Sequence, residues 1–268
     1  MGRMIADTDS SDYGPLDSAM NDPRGLLIAI PHHGHYVLSM ASLAAKISLR
    51  REVLVFYGDP KTHPGNEIFD DLHVLIYEGA ESRVTIIHDN RAGLSKAIRA
   101  LQNGSAVLIM PDVYKDLDDT FQLPFCGRPY DVMLGTAALA RRTHSNILPT
   151  VAIPIRPGIR FANQFGPLLH GRQPNSVTAA VTSFEDYKVT AAMFHAFEAI
   201  MDSEIHHWQF VRQHYQRSGS FPVLDEDQLE SLTELVLRSS KVALNPSAAI
   251  DCSNCVEAIE WNDTTRWN

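Results

Sequence analysis

Three histidines lie within four positions of one another near the start of the chain: His32, His33 and His35. They follow an apolar run, residues 25–30, that ends at Pro31, and they precede a segment whose apolar residues have helical spacing. Imidazole has an unperturbed pKa of about 6.5, so it can accept and donate protons near neutral pH. The pattern predicts a buried strand that carries these rings to the N-terminus of a helix. We expect catalysis or substrate binding at this point.

The start of that helix would add a second chemical element. Its free backbone N–H groups, at the positive end of the helix dipole, would face any oxygen that develops negative charge beside the rings. We predict His33 as the first choice for general base, with His32 as its nearest alternative. The further candidates are Gly34 and Tyr36 as substrate contacts, and His35 and Asp112 as residues that orient the base or contact the substrate.

The same histidines also permit a different interpretation. A His-x-His pair in an extended segment can place two nitrogens on one metal ion, so a zinc site on His32, His33 and His35 is an alternative to acid–base chemistry. We expect no metal site in the protein.

Composition excludes several classes of function. The 268 residues are 44% hydrophobic and 21% charged, which are ordinary values for a globular protein. A formal net charge of −9 disfavours binding to nucleic acid and to anionic lipid. No apolar run approaches the roughly 20 residues needed to cross a bilayer, and the polar N-terminus is unlike a signal peptide. We therefore expect a soluble, cytoplasmic protein, and its three cysteines fit a reducing compartment.

Apolar runs and helical patterns alternate along the first part of the chain, which predicts an α/β fold with a mostly parallel central sheet flanked by helices on both faces. We expect a flexible leader over 1–23, the α/β domain over 24–218, and a C-terminal helix and tail over 219–268. The predicted strands are 25–32, 52–57, 83–88, 105–110, 147–155 and 159–165, and the predicted helices are 35–49, 64–78, 92–102, 132–143 and 187–217.

Acidic residues follow several of the predicted strands. Asp59, Asp89 and Asp112 each lie at the carboxyl end of a predicted strand. Sites in parallel sheets lie beyond the carboxyl ends of the strands, so these carboxylates could meet the histidines in one crevice. Helix capping is the simpler interpretation of Asp59 and Asp89.

Several blocks of sequence resemble the lysophospholipid acyltransferase superfamily, and within it the bacterial lipid A biosynthesis acyltransferases. The resemblance begins with the histidine stretch and runs in the same order to about residue 217. Its further blocks are Ile109-Met110-Pro111-Asp112, the turn Leu123-Pro124-Phe125-Cys126-Gly127-Arg128-Pro129, an alanine-rich helix ending in Arg141-Arg142-Thr143, Leu148-Pro149-Thr150-Val151, and Glu204-Ile205-His206-His207-Trp208-Gln209-Phe210.

The resemblance implies a reaction. In that family a His-x4-Asp/Glu motif acts on an acyl thioester: the histidine deprotonates an acceptor hydroxyl or amine, and the acid orients the imidazole. Here His32 or His33 corresponds to the motif histidine, but Val37 or Leu38 stands where the acid is expected. A neighbouring histidine could orient the base, Asp112 could reach it from its strand end, or an amine acceptor could need less activation.

We therefore predict a soluble acyltransferase that takes an acyl group from an acyl or peptidyl carrier protein or from coenzyme A. The acceptor would be an amine or hydroxyl of a small or carrier-bound molecule in a specialised biosynthetic pathway, and no cofactor other than this thioester donor is expected. Gly127 and Arg128 are candidates for the donor or acceptor pocket, although a plain tight turn explains them equally well.

Two further functions fit the same sequence. The protein could keep the fold without catalysis and bind a partner enzyme or carrier, or it could hydrolyse or cyclise a thioester. The sequence leaves the acyl chain, the acceptor and the oligomeric state undetermined.

Overall fold

The computed structural model describes residues 9–68, 83–113, 120–155, 160–171 and 179–217. The chain divides into two units, 1–220 and 221–268, and the described residues all lie in the first. The helix predicted in the C-terminal region lies outside the described residues, as does most of the helix predicted over 64–78.

The main sheet has seven strands within the described residues, with the path β3-β2-β4-β1-β7-β8 and with β9 also paired to β7. Neighbours from β3 to β7 are parallel, whereas β8 and β9 run antiparallel to β7. A separate hairpin is formed by β5 and β6. The strands are β1 (Leu26–Ala29), β2 (Val53–Tyr57), β3 (Val84–His88), β4 (Ala106–Ile109), β5 (Phe121–Phe125), β6 (Arg128–Val132), β7 (Asn146–Ile155), β8 (Arg160–Phe165) and β9 (Leu169–His170).

Both faces of this sheet are covered, as the apolar runs predict. Alternate residues of β1 belong to two different hydrophobic clusters: Leu27 and Ala29 to one, Leu26 and Ile28 to the other. A strand that is buried on both sides needs apolar residues at every position, which explains the unbroken runs.

The helices are α1 (Gly14–Asn21), α2 (Tyr36–Ser48), α3 (Arg91–Gln102), α4 (Gly135–Thr143), α5 (Ala179–Met201) and α6 (Val211–Arg217). Within the described residues no helix is both long and apolar enough to span a bilayer.

The N-terminal region differs from the flexible leader that the sequence predicts. Residues 14–21 form α1, and Leu16, Ala19 and Met20 are buried in the cluster that also contains α2. Proline near the helix start has its φ already set for a helix, and the three apolar residues share one face at i, i+3 and i+4. Eight residues give too short a pattern to stand out among the polar residues around it.

The long helix predicted over 187–217 is wrong in its second half. Helix α5 ends at Met201, and Asp202 has a φ of +27°, which is incompatible with a continuing α-helix. A 3₁₀ segment, Asp202–His207, follows before α6 begins at Val211. This break directs residues 204–209, which we call the strap, back to the turn after β1.

The burial of α1 generates a test. Leu16 is fully buried, so Leu16→Ala removes apolar contacts and leaves a cavity, and we expect it to lower the free energy of unfolding by about 3 kcal/mol. Ser18→Ala lies on the exposed side of the same helix and should change it by less than about 0.5 kcal/mol. Urea denaturation of the two variants checks this; equal stabilities would show that α1 is not part of the core.

Candidate active site

The pairing of β1 with β4 brings His32 beside Asp112. The strands are parallel, and Ala29 lies opposite Ile109. His32 and Asp112 each lie three residues beyond this pair, just past the carboxyl ends of the two strands. There His32 Nδ1 lies 2.8 Å from Asp112 Oδ1. The carboxyl ends of neighbouring parallel strands thus supply an imidazole and an acid to one site.

Asp112 is completely buried, and its carboxylate is satisfied by three contacts. Oδ1 faces His32 Nδ1, while Oδ2 accepts hydrogen bonds from the backbone N–H of His32 and from Trp208 Nε1, both at 2.8 Å. Its own carbonyl oxygen accepts a hydrogen bond from Tyr130 Oη. A buried carboxylate is tolerated only when its oxygens are paired in this way, and these bonds fix its orientation towards the imidazole.

The ring of His32 is confined by two aromatic neighbours. Its centroid lies 4.8 Å from that of Tyr36 and 5.2 Å from that of Phe210. Twelve per cent of the side chain is exposed, and among the described residues none is within hydrogen-bond distance of Nε2. Burial, with a smaller effect of the negative charge of Asp112, raises the pKa of Tyr36, so its phenol stays protonated beside the imidazole.

The strap holds this turn in place. Backbone N–H groups of Gly34 and Gln209 donate to the carbonyl oxygens of His207 and His32, at 3.0 and 2.8 Å. His33 and Trp208 form an antiparallel bridge between the two segments. The strap therefore positions the Trp208 indole against Asp112 through backbone hydrogen bonds.

His33, the first choice of the sequence analysis, lies in a different environment from His32. It is fully buried, with Nδ1 3.0 Å from the Ala152 carbonyl oxygen and Nε2 2.8 Å from that of Glu204. Both ring nitrogens therefore contact backbone carbonyls, one on β7 and one on the strap. This arrangement is that of a structural histidine, and it leaves neither nitrogen for a substrate.

Gly34 and His35 occupy the turn between β1 and α2. Gly34 has a φ of +56°, and a Cβ on it would lie 2.5 Å from the Ala152 carbonyl oxygen. The turn and the close approach of β7 together require glycine here. His35 precedes the first residue of α2 without a side-chain capping bond, and it is partly exposed.

Asp59 is not brought together with His32 and Asp112. Its hydrogen bonds are with the backbone N–H of Lys61, with the Asn90 side chain and, through its own N–H, with Asp89. The Asn90 amide and the Lys61 N–H hold the pKa of Asp59 below its usual value. These contacts lie at the ends of β2 and β3, and β4 separates β2 from the strand that carries His32.

Gly127 forms the tight turn of the β5–β6 hairpin. Cys126 and Gly127 have φ values of +52° and +74°, the left-handed conformation that a two-residue hairpin loop requires. The backbone N–H groups of both donate to Glu198 on α5, whose pKa is nevertheless raised by burial. Burial also raises the pKa of the Cys126 thiol, so it is a poor nucleophile. The turn thus contacts α5, and Arg128 follows it as the first residue of β6.

The structure adds residues that sequence reasoning did not assign to the site. Trp208 is 1% exposed, as expected of a core residue, but its indole N–H is also a donor to Asp112. Tyr130 and Phe125, from the hairpin, pack their rings 5.4 and 5.1 Å from that of Trp208. The block that contains Trp208 was recognisable in the sequence, but its contact with Asp112 depends on the break after α5.

One group of potential metal ligands lies on the strap. The ligand atoms of Glu204, His206 and His207 are within 4.8 Å of one another. In the part of the chain that the structure describes, this is the one such group of three or more residues. The alternative zinc site on His32, His33 and His35 is not formed there.

The chain matches one family model over most of its length. Residues 8–217 match the model of the bacterial lipid A biosynthesis acyltransferases. The match therefore starts closer to the N-terminus than the resemblance seen in the sequence, and it includes α1. The chain belongs to this family. A comparison with curated proteins finds no match. Membership of this family supports acyl transfer as the general activity of the protein. The resemblance to the lipid A acyltransferases that the sequence shows is confirmed.

The contact of Trp208 with the buried carboxylate can be measured. Trp208→Phe keeps most of the ring but removes the N–H donor to Asp112 Oδ2, and we expect the free energy of unfolding to fall by about 2 kcal/mol. Tyr187→Phe, which removes a more exposed hydrogen bond to the Gln122 carbonyl, should cost less than about 1 kcal/mol. Chemical denaturation provides both values, and a loss no larger for Trp208→Phe would argue against the importance of this bond.

Proposed function

We propose that the protein transfers an acyl group from a thioester to an amine or hydroxyl, with His32 as general base and Asp112 as the acid that orients it. The observation that carries this proposal is the 2.8 Å contact between His32 Nδ1 and Asp112 Oδ1. A carboxylate on Nδ1 fixes the imidazole tautomer, leaves Nε2 to accept a proton and stabilises the imidazolium that results.

The proposed reaction has two proton transfers. The acceptor nitrogen or oxygen attacks the thioester carbonyl carbon while His32 Nε2 removes its proton, which gives a tetrahedral intermediate with a negative oxygen. The C–S bond then breaks, and the imidazolium returns the proton to the departing sulfur. The first N–H groups of α2 have no intrahelical partner, so they are suited to stabilise the negative oxygen.

The choice of His32 over His33 follows from their hydrogen bonds. The His33 ring contacts carbonyl oxygens through both nitrogens, whereas within the described residues the His32 ring has a hydrogen-bond partner at Nδ1 and none at Nε2. Val37, where the resembling motif has its acid, is an apolar helical residue. Of the three ways in which the sequence could compensate for the missing motif acid, Asp112 at a neighbouring strand end is the one that these contacts support.

The acceptor need not be an amine. A neutral amine attacks a thioester with less help from a base, so an amine would be favoured if no acid oriented the imidazole, but Asp112 supplies that acid. We therefore propose a small or carrier-bound acceptor with an amine or a hydroxyl, and an acyl-carrier, peptidyl-carrier or coenzyme A donor, in a specialised biosynthetic pathway. The net charge of −9 supports this acceptor class over an anionic lipid surface.

Thioester hydrolysis is the second candidate function. Water can take the place of the acceptor at a His–Asp pair without any other change in the reaction, and an internal amine would give cyclisation instead. The mass of the product distinguishes these outcomes from transfer. A protein that only binds a carrier or a partner enzyme would release no thiol from any donor.

Substitution of the proposed base should abolish most of the activity. We expect His32→Ala to lower kcat/KM about 10²- to 10⁴-fold, because general-base catalysis contributes about that much. The assay follows thiol release from coenzyme A and carrier-protein thioesters of several chain lengths, with amine and hydroxyl acceptors, and identifies products by mass.

His63→Ala provides the matched control for this variant, since His63 is exposed and its ring nitrogen contacts Thr62. Its activity should stay within about twofold of the parent protein. Undiminished turnover in folded His32→Ala would overturn the assignment of the base, and the absence of turnover in the parent with every donor would favour a binding protein.

The acid can be tested separately from the base. Asp112→Asn keeps the shape of the side chain but removes its charge and presents an amide to the His32 ring. We expect kcat to fall roughly 10²- to 10⁴-fold with little change in KM. Asp89→Asn makes the same change at an exposed strand end and should leave both constants within about twofold. A loss confined to KM would assign Asp112 to substrate binding instead.

A further inference from the structure

The strap carries a group of side chains that the proposed reaction does not use. Glu204, His206 and His207 lie in the 3₁₀ segment after α5, and their potential ligand atoms are within 4.8 Å of one another. We infer that these three side chains bind a divalent transition-metal ion, with zinc as the expected occupant. This inference is independent of the proposed acyl transfer.

The distances fit the coordination of zinc. His207 Nε2 lies 3.3 Å and His206 Nε2 3.8 Å from Glu204 Oε2. Zinc binds nitrogen and oxygen at about 2.0–2.2 Å, so two ligands at a tetrahedral angle are roughly 3.4 Å apart. Small side-chain rotations would therefore place all three atoms on one ion.

The chemistry of the donors favours some ions over others. Two imidazoles and one carboxylate suit zinc, nickel and copper, whereas calcium and magnesium prefer sets of oxygen ligands. A His₂Glu set supplies three ligands and leaves a fourth position for water or another molecule. The side chains are 24–55% exposed, so an ion can reach them from solvent.

The backbone around these ligands is already fixed. The Glu204 carbonyl oxygen contacts His33 Nε2, and the His207 carbonyl accepts a hydrogen bond from the Gly34 N–H. The His207 ring also packs against that of His33, at 6.0 Å between centroids. These contacts restrict the ligands before an ion binds, which lowers the entropy lost on binding. The ion would join three side chains of the same strap that positions Trp208.

Two cysteines outside the described residues, Cys252 and Cys255, are also potential zinc ligands. The test therefore uses the full chain with Cys252→Ser and Cys255→Ser, so that these thiolates do not bind the metal. Zinc affinity and stoichiometry are measured by competition with a chromogenic chelator, and Co²⁺ is added separately to record its visible absorption. We expect one zinc ion per chain, and Co²⁺ bands typical of four-coordinate nitrogen and oxygen ligands.

His206→Gln is the decisive variant, because His206 is the most exposed of the three ligands and its loss should not affect folding. We expect it to weaken zinc binding at least tenfold, with Glu204→Gln and His207→Gln having similar or larger effects. His63→Gln, which replaces another exposed histidine, should bind zinc like the parent. Circular dichroism checks that each variant is folded. Less than one bound equivalent, or equal affinity in folded His206→Gln and the parent, would overturn the inference.

Discussion

The site depends on the burial of one carboxylate, that of Asp112. A buried charge is costly unless its oxygens are fully paired, and here the donors come from distant parts of the chain. His32, on the neighbouring strand, provides its ring and its backbone N–H, and Trp208 on the strap provides the indole N–H. The sheet and the strap must both be in place before this carboxylate is satisfied. The stability of the fold and the geometry of the proposed base are therefore coupled through the same side chain.

The His32–Asp112 pair can form without the acid of the His-x4-Asp/Glu motif, because the fold supplies an acid from another strand. In that motif, which the chain resembles but does not keep, the acid and the histidine are close in sequence. Here the register of β1 and β4 brings an acid to His32 from 80 residues away. Orientation of an imidazole requires only an acceptor on Nδ1, wherever it lies in the chain. Val37 can then serve α2 as an ordinary helical residue.

The sequence predicted the sheet well because its strands are buried on both faces, and such strands give unbroken apolar runs between turn residues. It also predicted that Asp112 and the histidines lie at strand ends. It did not predict α1, whose eight residues give little periodicity, or the end of α5 at Met201, where an apolar stripe continues past a residue with positive φ. Local patterns report which residues are apolar, but not where a chain reverses direction.

Which of the two rings, His32 or His33, contacts Asp112 could not be predicted from the sequence, for a related reason. The two rings are adjacent in the chain, and the backbone turns them to different sides: His32 to Asp112, and His33 to the carbonyls of β7 and the strap. The strap and β7 together enclose the His33 ring, through the carbonyl oxygens of Glu204 and Ala152. A short 3₁₀ segment has weak internal hydrogen bonds, so its conformation depends on its contacts with the rest of the fold. His33 provides such a contact, and in this way a histidine without a direct role in the proposed reaction positions the indole that orients Asp112.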